Sequence, residues 1–243
     1  MGLPKIDVPT FEMEQPSTGK TIQYRPFLVK EEKILLMALG EKEGDMLRAI
    51  KQIATNCILT KEFNINEATS YDIEYIFLQL RAKSVGETIS LKFRHRNGQN
   101  RMGKKCSHIQ EVDINIDDIK LVYKDKIDPK IKLTDTVGIK LKHPSMEVLS
   151  TLADDAKDSV SRIMALLRRC TEYIWDEEQM HKAEDATDEE LKEFFDTLTS
   201  EQFKKIEDFF TSAPALEYQF EYTCKGCDEK TIHRLKGLKD FFV

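Results

Sequence analysis

The sequence is short of several things, and each shortage excludes a class of protein. No apolar run approaches the roughly 18 to 20 residues that a helix needs to cross a bilayer. The opening MGLPKIDVPTFEMEQPSTGK has no basic stretch followed by an apolar one, so it is not a secretion signal. Lys5 and Ile6 do not complete a myristoylation pattern behind the Met-Gly start. Positive charge is in deficit: Lys and Arg number 37 against 43 Asp and Glu, for a net charge of -6 and a pI near 5.5. A general nucleic-acid binder is usually basic, so the balance argues against that role. Cysteines number five, an odd count that without a secretion signal points to reduced thiols or metal ligands rather than a disulfide framework. No catalytic constellation is visible either. His143 precedes a proline, His181 lies in an acidic stretch and His233 falls on a strand, and none has a neighbour that suggests a nucleophile pair. The expectation is a soluble, intracellular α+β protein that binds other proteins and is not an enzyme.

The 243 residues, 40% apolar and 33% charged, can bury a core in one or two domains. Residues 1–29 read as an extended N-terminal arm or hairpin. Pro4, Pro9 and Pro16 forbid a continuous helix, Ser17 to Lys20 make a turn, and Thr21 to Arg25 a strand. Residues 30–84 read as a helical segment. One helix runs from Lys30 to Leu39 and another from Asp45 to Leu59; a third is capped by Ser70, with Ile73, Ile76, Phe77 and Leu80 on its core face. From Val85 the apolar period becomes two, so residues 85–142 read as an antiparallel β unit: Thr88–Phe93, Val112–Ile116, Leu121–Tyr123 and Val137–Leu141. Residues 143–216 read as a second helical segment. A helix from Met146 to Ala153 precedes a longer one from Ser159 to Trp175, on the stripe Val160, Ile163, Met164, Leu167, Cys170, Ile174. Thr187 with Glu190 and Thr199 with Gln202 are capping boxes for two more. Residues 217–243 read as a β-hairpin that packs on the 85–142 unit. Segregated strands and helices argue α+β.

Cys224-Lys225-Gly226-Cys227 is the strongest chemical signal. A CxxC at a β-turn can aim two thiolates at one tetrahedral Zn²⁺, whereas a redox CxxC needs a helix N-terminus, and the residues that follow read as turn and strand. A structural zinc site takes four ligands. The hairpin ends His95 and Cys106 can supply the other two, in the manner of a zinc ribbon, with His108 as the substitute for His95; both are otherwise ordinary loop residues. Such a site can contribute on the order of 10 kcal/mol to folding. Cys57 and Cys170 fall on apolar helix faces and read as core thiols. Gly19-Lys20-Thr21 ends like a phosphate-binding loop but is followed by a strand where that motif needs a helix. Arg94, Arg96, Arg101, Lys104 and Lys105 make a basic loop without the interleaved aromatics that stack on bases. The acidic run Asp176 to Glu190 lacks the spacing of a calcium loop and reads as a solvated connection or a protein-contact patch. The pairs Phe194-Phe195, Phe209-Phe210 and Phe241-Phe242 can each put one ring in the core and one toward a partner, since adjacent helical residues diverge by about 100°. The terminal pair, Phe241 and Phe242, reads as a docking tail.

Long strings of the chain resemble the T4-type phage baseplate hub proteins. They include Tyr24-Arg-Pro-Phe-Leu-Val-Lys-Glu-Glu-Lys-Ile-Leu-Leu, Asp72-Ile-Glu-Tyr-Ile-Phe-Leu-Gln-Leu-Arg-Ala-Lys-Ser-Val-Gly-Glu, Phe203-Lys-Lys-Ile-Glu-Asp-Phe-Phe, and Cys224-Lys-Gly-Cys before Gly237-Leu-Lys-Asp-Phe-Phe. The likeness covers nearly the whole chain. It implies a protein of a contractile-tailed phage, made in the host cytoplasm and acting in baseplate hub assembly as a hub subunit or an assembly chaperone. Implied partners are other hub proteins and the tape-measure protein. Relatives with two CxxC pairs differ from this chain, in which His95 and Cys106 stand in for the first pair. The alternative reading is a zinc-ribbon nucleic-acid-binding or regulatory module.

Overall fold

A computed structural model describes residues 6–38, 43–95, 105–123, 127–155 and 159–242. In chain order its elements are β1 (Phe11–Glu14), β2 (Thr21–Tyr24), α1 (Val29–Ala38), α2 (Glu43–Cys57), α3 (Ser70–Val85), β3 (Thr88–Arg94), β4 (Ile109–Asn115), β5 (Lys120–Val122), β6 (Lys130–Lys132), β7 (Gly138–Leu141), α4 (Met146–Asp155), α5 (Ser159–Cys170), β8 (Thr171–Trp175), β9 (Met180–Lys182), α6 (Asp188–Asp196), α7 (Ser200–Thr211), β10 (Ala215–Thr223), β11 (Lys230–Lys236) and α8 (Gly237–Phe242). Helices and small antiparallel sheets are segregated, as expected of an α+β chain.

These elements form two compact units. The first gathers three stretches, Met1–Phe63, Tyr71–Val122 and Ala215–Val243; the second holds Asn64–Ser70 and Tyr123–Pro214. The stretch 85–142, expected as one β unit, is therefore shared between them. β3 and β4 form a hairpin and β5 pairs with β10, whereas β6 and β7 belong to a different sheet.

In the first unit α3 is buried on nearly every side: Tyr71, Ile73, Ile76, Phe77, Leu78, Leu80 and Ala82 are all inside. A helix apolar all round belongs in a core. The β1–β2 turn is fastened to it by the buried carboxylate of Asp72, which accepts hydrogen bonds from the Ser17 amide (2.8 Å), the Ser17 hydroxyl (2.6 Å) and Gln15 Nε2 (3.0 Å). Gly19 sits in that turn at φ +70°, a backbone state that favours glycine. At the start of α1 the buried Glu31 carboxylate accepts from the Leu28 amide (2.9 Å) and pairs with Arg25 at 3.0 Å. Arg25 also donates to the carbonyl of Asn56 (3.0 Å), so one ion pair ties strand, helix start and α2 together.

The second unit is built on the antiparallel sheet β6-β7-β8-β9. Ile131, Ile139 and Leu141 of the sheet pack with Leu167 of α5, Leu191 and Phe195 of α6, and Ile206 and Phe209 of α7. Both expected capping boxes are present. The Thr187 hydroxyl accepts from the Glu190 amide and the Glu190 side chain accepts from the Thr187 amide; Thr199 and Gln202 repeat the exchange.

One expected element is corrected. The helix predicted from Ser159 to Trp175 ends at Cys170, and Thr171–Trp175 is a strand. The Thr171 hydroxyl donates to the Leu167 carbonyl at 2.8 Å, and the Lys142 amide donates to the Cys170 carbonyl at 2.8 Å, so the end of the helix is satisfied from outside it. The residues that follow, Thr, Glu, Tyr, Ile and Trp, are mostly β-branched or aromatic and favour the pleated ladder with β7.

Candidate metal centre

Two hairpins of the first unit bring the chemistry together. β3 ends at Arg94, which leaves His95 at the end of the β3–β4 hairpin, opposite His108, with Cys106 two residues earlier on the segment that leads into β4. β10 and β11 pair from Glu217↔Lys236 to Thr223↔Lys230, and the Cys224–Cys227 turn closes their far end. That turn is tight. The Asp228 amide donates to the Cys224 carbonyl at 2.8 Å and the Cys224 amide to the Glu229 carbonyl at 2.9 Å, with Asp228 itself at φ 58°. The hairpins meet through an aromatic stack in which Phe93 lies 5.3 Å from Phe220 and 4.9 Å from His233, centroid to centroid. Gly226 is needed at the seam: a Cβ there would lie 2.6 Å from the His108 Cβ and 3.3 Å from the Cys106 Sγ.

The result is a cluster of one nitrogen and three sulfurs. The ligand atoms of His95, Cys106, Cys224 and Cys227 all lie within 4.8 Å of one another. Cys106 and Cys224 are 3.7 Å apart at sulfur, and His95 Nδ1 is 3.2 Å from the Cys227 Sγ. Tetrahedral bonds of about 2.3 Å to sulfur and about 2.0 Å to nitrogen place ligand atoms roughly 3.5 to 3.8 Å apart; the Cys106–Cys224 pair has that spacing, the His95–Cys227 pair is closer, and all four fall within 4.8 Å, a set that one ion can draw together. His95, Cys106 and Cys224 are buried and Cys227 half-buried. The other ring nitrogen of His95, Nε2, faces the Thr231 hydroxyl at 3.1 Å and the Glu229 carboxylate at 3.8 Å. These partners orient the imidazole with Nδ1 toward the thiols, as outer-shell groups do at metal sites.

Burial pushes the Cys224 thiol up, but the Gly226 amide at 3.4 Å and the neighbouring thiols outweigh it, and the net direction is down. Burial and the adjacent Cys224 and Cys106 push Cys227 up to about 11. Cys224 therefore ionises before Cys227, whose thiolate its neighbours resist, a state that a bound cation relieves. The sequence pointed to His95, Cys106, Cys224 and Cys227, with His108 as the substitute for His95, and the structure gathers those four. The structure brings in His95. His108 instead uses its carbonyl to accept the His95 amide at 2.9 Å and packs its side chain against Gly226. Thr231 and Glu229 were not anticipated; their only sequence signal is their place just beyond the CxxC, on and before β11.

The other candidates fall elsewhere. Cys57 and Cys170 are fully buried, with thiols pushed up to about 11 and about 12 by burial, as core thiols are. Gly19-Lys20-Thr21 lies in the β1–β2 turn and its second strand. Most of the basic loop, residues 96–104, lies outside the described residues. His143 stacks on Phe209 at 4.5 Å, exposed His181 pairs with Asp176 at 2.8 Å, and His233 lies in the aromatic stack. The docking role expected for Phe241 is corrected: its ring is completely buried. α8 is folded back and held by the Leu238 amide, which donates to Glu74 of α3, so this end of the chain is core. The Phe242 side chain lies outside the described residues. In the helical pairs Phe195 and Phe209 are buried, while Phe194 and Phe210 are half-buried and pack on the same cluster.

A closed cage of three thiols and an imidazole joining two β-hairpins defines the chain as an α+β protein with a zinc-ribbon-like site. More particularly, it belongs to the family of the T4 bacteriophage base plate protein, whose profile matches residues 8–243. No curated protein and no solved structure matches it. Base plate proteins work in contact with other phage base plate proteins, as parts of the virion tail. Among the described residues no helix is long and apolar enough to cross a membrane.

Proposed function

We propose that this chain is a non-enzymatic tail protein that acts in assembly of the baseplate hub, as hub component or assembly chaperone, through protein–protein contacts in the host cytoplasm. The observation that carries this reading is the family match over residues 8–243. Its partners are other hub proteins and the tape-measure protein. Structural Zn²⁺ occupies the His95, Cys106, Cys224, Cys227 cage. Support comes from the donor set: four protein ligands leave no open coordination position, the mark of a structural rather than a catalytic zinc. The ion pins hairpins that neither strand pair could hold alone.

Native mass spectrometry of the chain co-expressed with hub and tape-measure proteins tests both statements. The expected result is one zinc per chain, lost in Cys224→Ser and Cys106→Ser, together with a defined complex. A metal-free monomer that ignores every tail protein would sink the reading.

A further inference from the structure

The chain's acidity is not spread over its surface. Between Asp176 and Glu190 eight carboxylates face one lysine, a net charge of -7 against -6 for the whole chain. The rest of the molecule is close to neutral. This segment carries β9 and leads into α6, and beside it a groove of about 610 Å³ is lined by Ile174, Trp175, Met180, Leu191 and Phe194, with Asp185 at its rim. A second hollow of about 430 Å³ adjoins it, sharing Trp175 and Met180 and rimmed by Glu177 and Glu178. Met180 is 59% exposed at the edge of the sheet.

The main chain is also presented. Register opposes Ile174 to His181 and Trp175 to Met180. The Ala183 amide donates to the Glu172 carbonyl (3.0 Å) and the Asp176 amide to the Gln179 carbonyl (3.1 Å). Bonded pairs alternate along an antiparallel ladder, so the Trp175–Met180 pair is a non-bonded one. The N–H and C=O of Met180 therefore point away from β8, toward the open edge. An edge with an apolar floor and outward main-chain groups takes an extended peptide, and the carboxylate rim selects its charge.

We propose that this groove docks an extended segment of a partner protein in which apolar residues alternate with lysine or arginine, laid alongside β9. The proposal rests on the reading that the chain works through protein contacts. Apolar side chains of the segment enter against Trp175, Met180 and Phe194, and its cations meet Glu177, Glu178 and Asp185.

Trp175 is the only tryptophan and lines both hollows, so its emission reports occupancy. The probes are a short alternating valine–lysine peptide and a valine–glutamate peptide of equal length, titrated into the full chain. The expected result is a saturable blue shift with the lysine peptide alone, weakening as salt rises. Glu177→Lys with Asp185→Lys is expected to weaken it about tenfold or more. Met180→Pro, which removes the outward amide together with the Met180 side chain, is expected to weaken it more than Met180→Ala, which removes the side chain alone, while the circular dichroism melt stays unchanged. The proposal is overturned if neither peptide shifts Trp175, if both do so equally, or if the charge-reversed and proline variants bind as wild type does. Concentration-dependent dimerisation lost in Met180→Pro would make a second copy of the chain the occupant and overturn it too. A failed peptide titration beside an intact hub complex refutes this docking mode and leaves the assembly reading standing.

Discussion

His95 is held from both sides, and that arrangement makes its outer partners measurable. With Thr231 at 3.1 Å and Glu229 at 3.8 Å from Nε2, the ring is pre-oriented to offer Nδ1. Thr231→Val is expected to lower zinc affinity by about 10- to 100-fold, with the Co²⁺-substituted absorption spectrum perturbed and Thr231→Ser restoring both. A purely structural threonine would lower the melting temperature and leave the Co²⁺ spectrum intact. Glu31 gives the clearest pH dependence. Burial raises its carboxyl, but Arg25 and the Leu28 amide outweigh this and hold it below the usual carboxylate range. Its contribution is therefore present above the unfolded pKa of about 4.3 and is lost as pH falls through the lower folded value. Glu31→Gln, which leaves Arg25 unpaired at a side chain only 14% exposed, is expected to cost about 3 to 5 kcal/mol near neutral pH and to flatten the acid limb of a stability–pH curve. At this scale the CxxC was legible because its ligands are local. The choice between His95 and His108 was less so: they stand opposite each other at the hairpin end, and it is the packing of His108 against Gly226 and the Thr231 and Glu229 partners of His95 that distinguish the two rings.

Helices whose ends are written in side chains and strands long enough to alternate were read correctly, whereas β6, β8 and β9 were not. Thr187 and Thr199 announce α6 and α7 because each cap and its glutamate or glutamine partner lie within one turn. Replacing either threonine with alanine is expected to cost about 1 kcal/mol, seen as a lower denaturation midpoint with an unchanged slope. β8 was hidden for the opposite reason. Ile174 follows Cys170 at helical spacing, so the apolar stripe of α5 runs on into the strand, and the ladder that stops the helix is supplied by β7, some thirty positions upstream. β6 and β9, three residues each, are too short to show a period. The β7–β8 pairing also fixes a glycine. A Cβ on Gly138 would lie 2.0 Å from the Trp175 indole, so Gly138→Ala must displace that ring. The expected outcome is a red-shifted, more quenchable tryptophan and a loss of about 1 to 3 kcal/mol from overpacking.

Across the whole molecule, the zinc-ribbon-like cage closes long loops in the chain. Cys106 meets Cys224 across 118 positions and His95 meets Cys227 across 132. Both contacts join separate stretches of the first unit, which is assembled from three pieces, whereas the second unit has its own sheet and its own core. No local pattern signals such an interleaving. The sequence shows two hairpins and a lone CxxC, and the partnership between them appears only when the missing ligands are sought. Loop closure over these distances is costly before any contact forms, and an ion bound in the cage would offset that cost in the first unit alone. Chelation should therefore act unevenly. Hydrogen exchange is expected to accelerate in β3, β4, β10 and β11 after zinc removal, while Trp175, which lies in the second unit, keeps its emission maximum. Should Trp175 emission instead change in step with exchange in those strands, the metal would be supporting both units, and the division into separately stabilised parts would be wrong. Retained Trp175 emission with local opening around Cys106 and Cys224 would place the ion's stabilisation where the geometry puts its ligands.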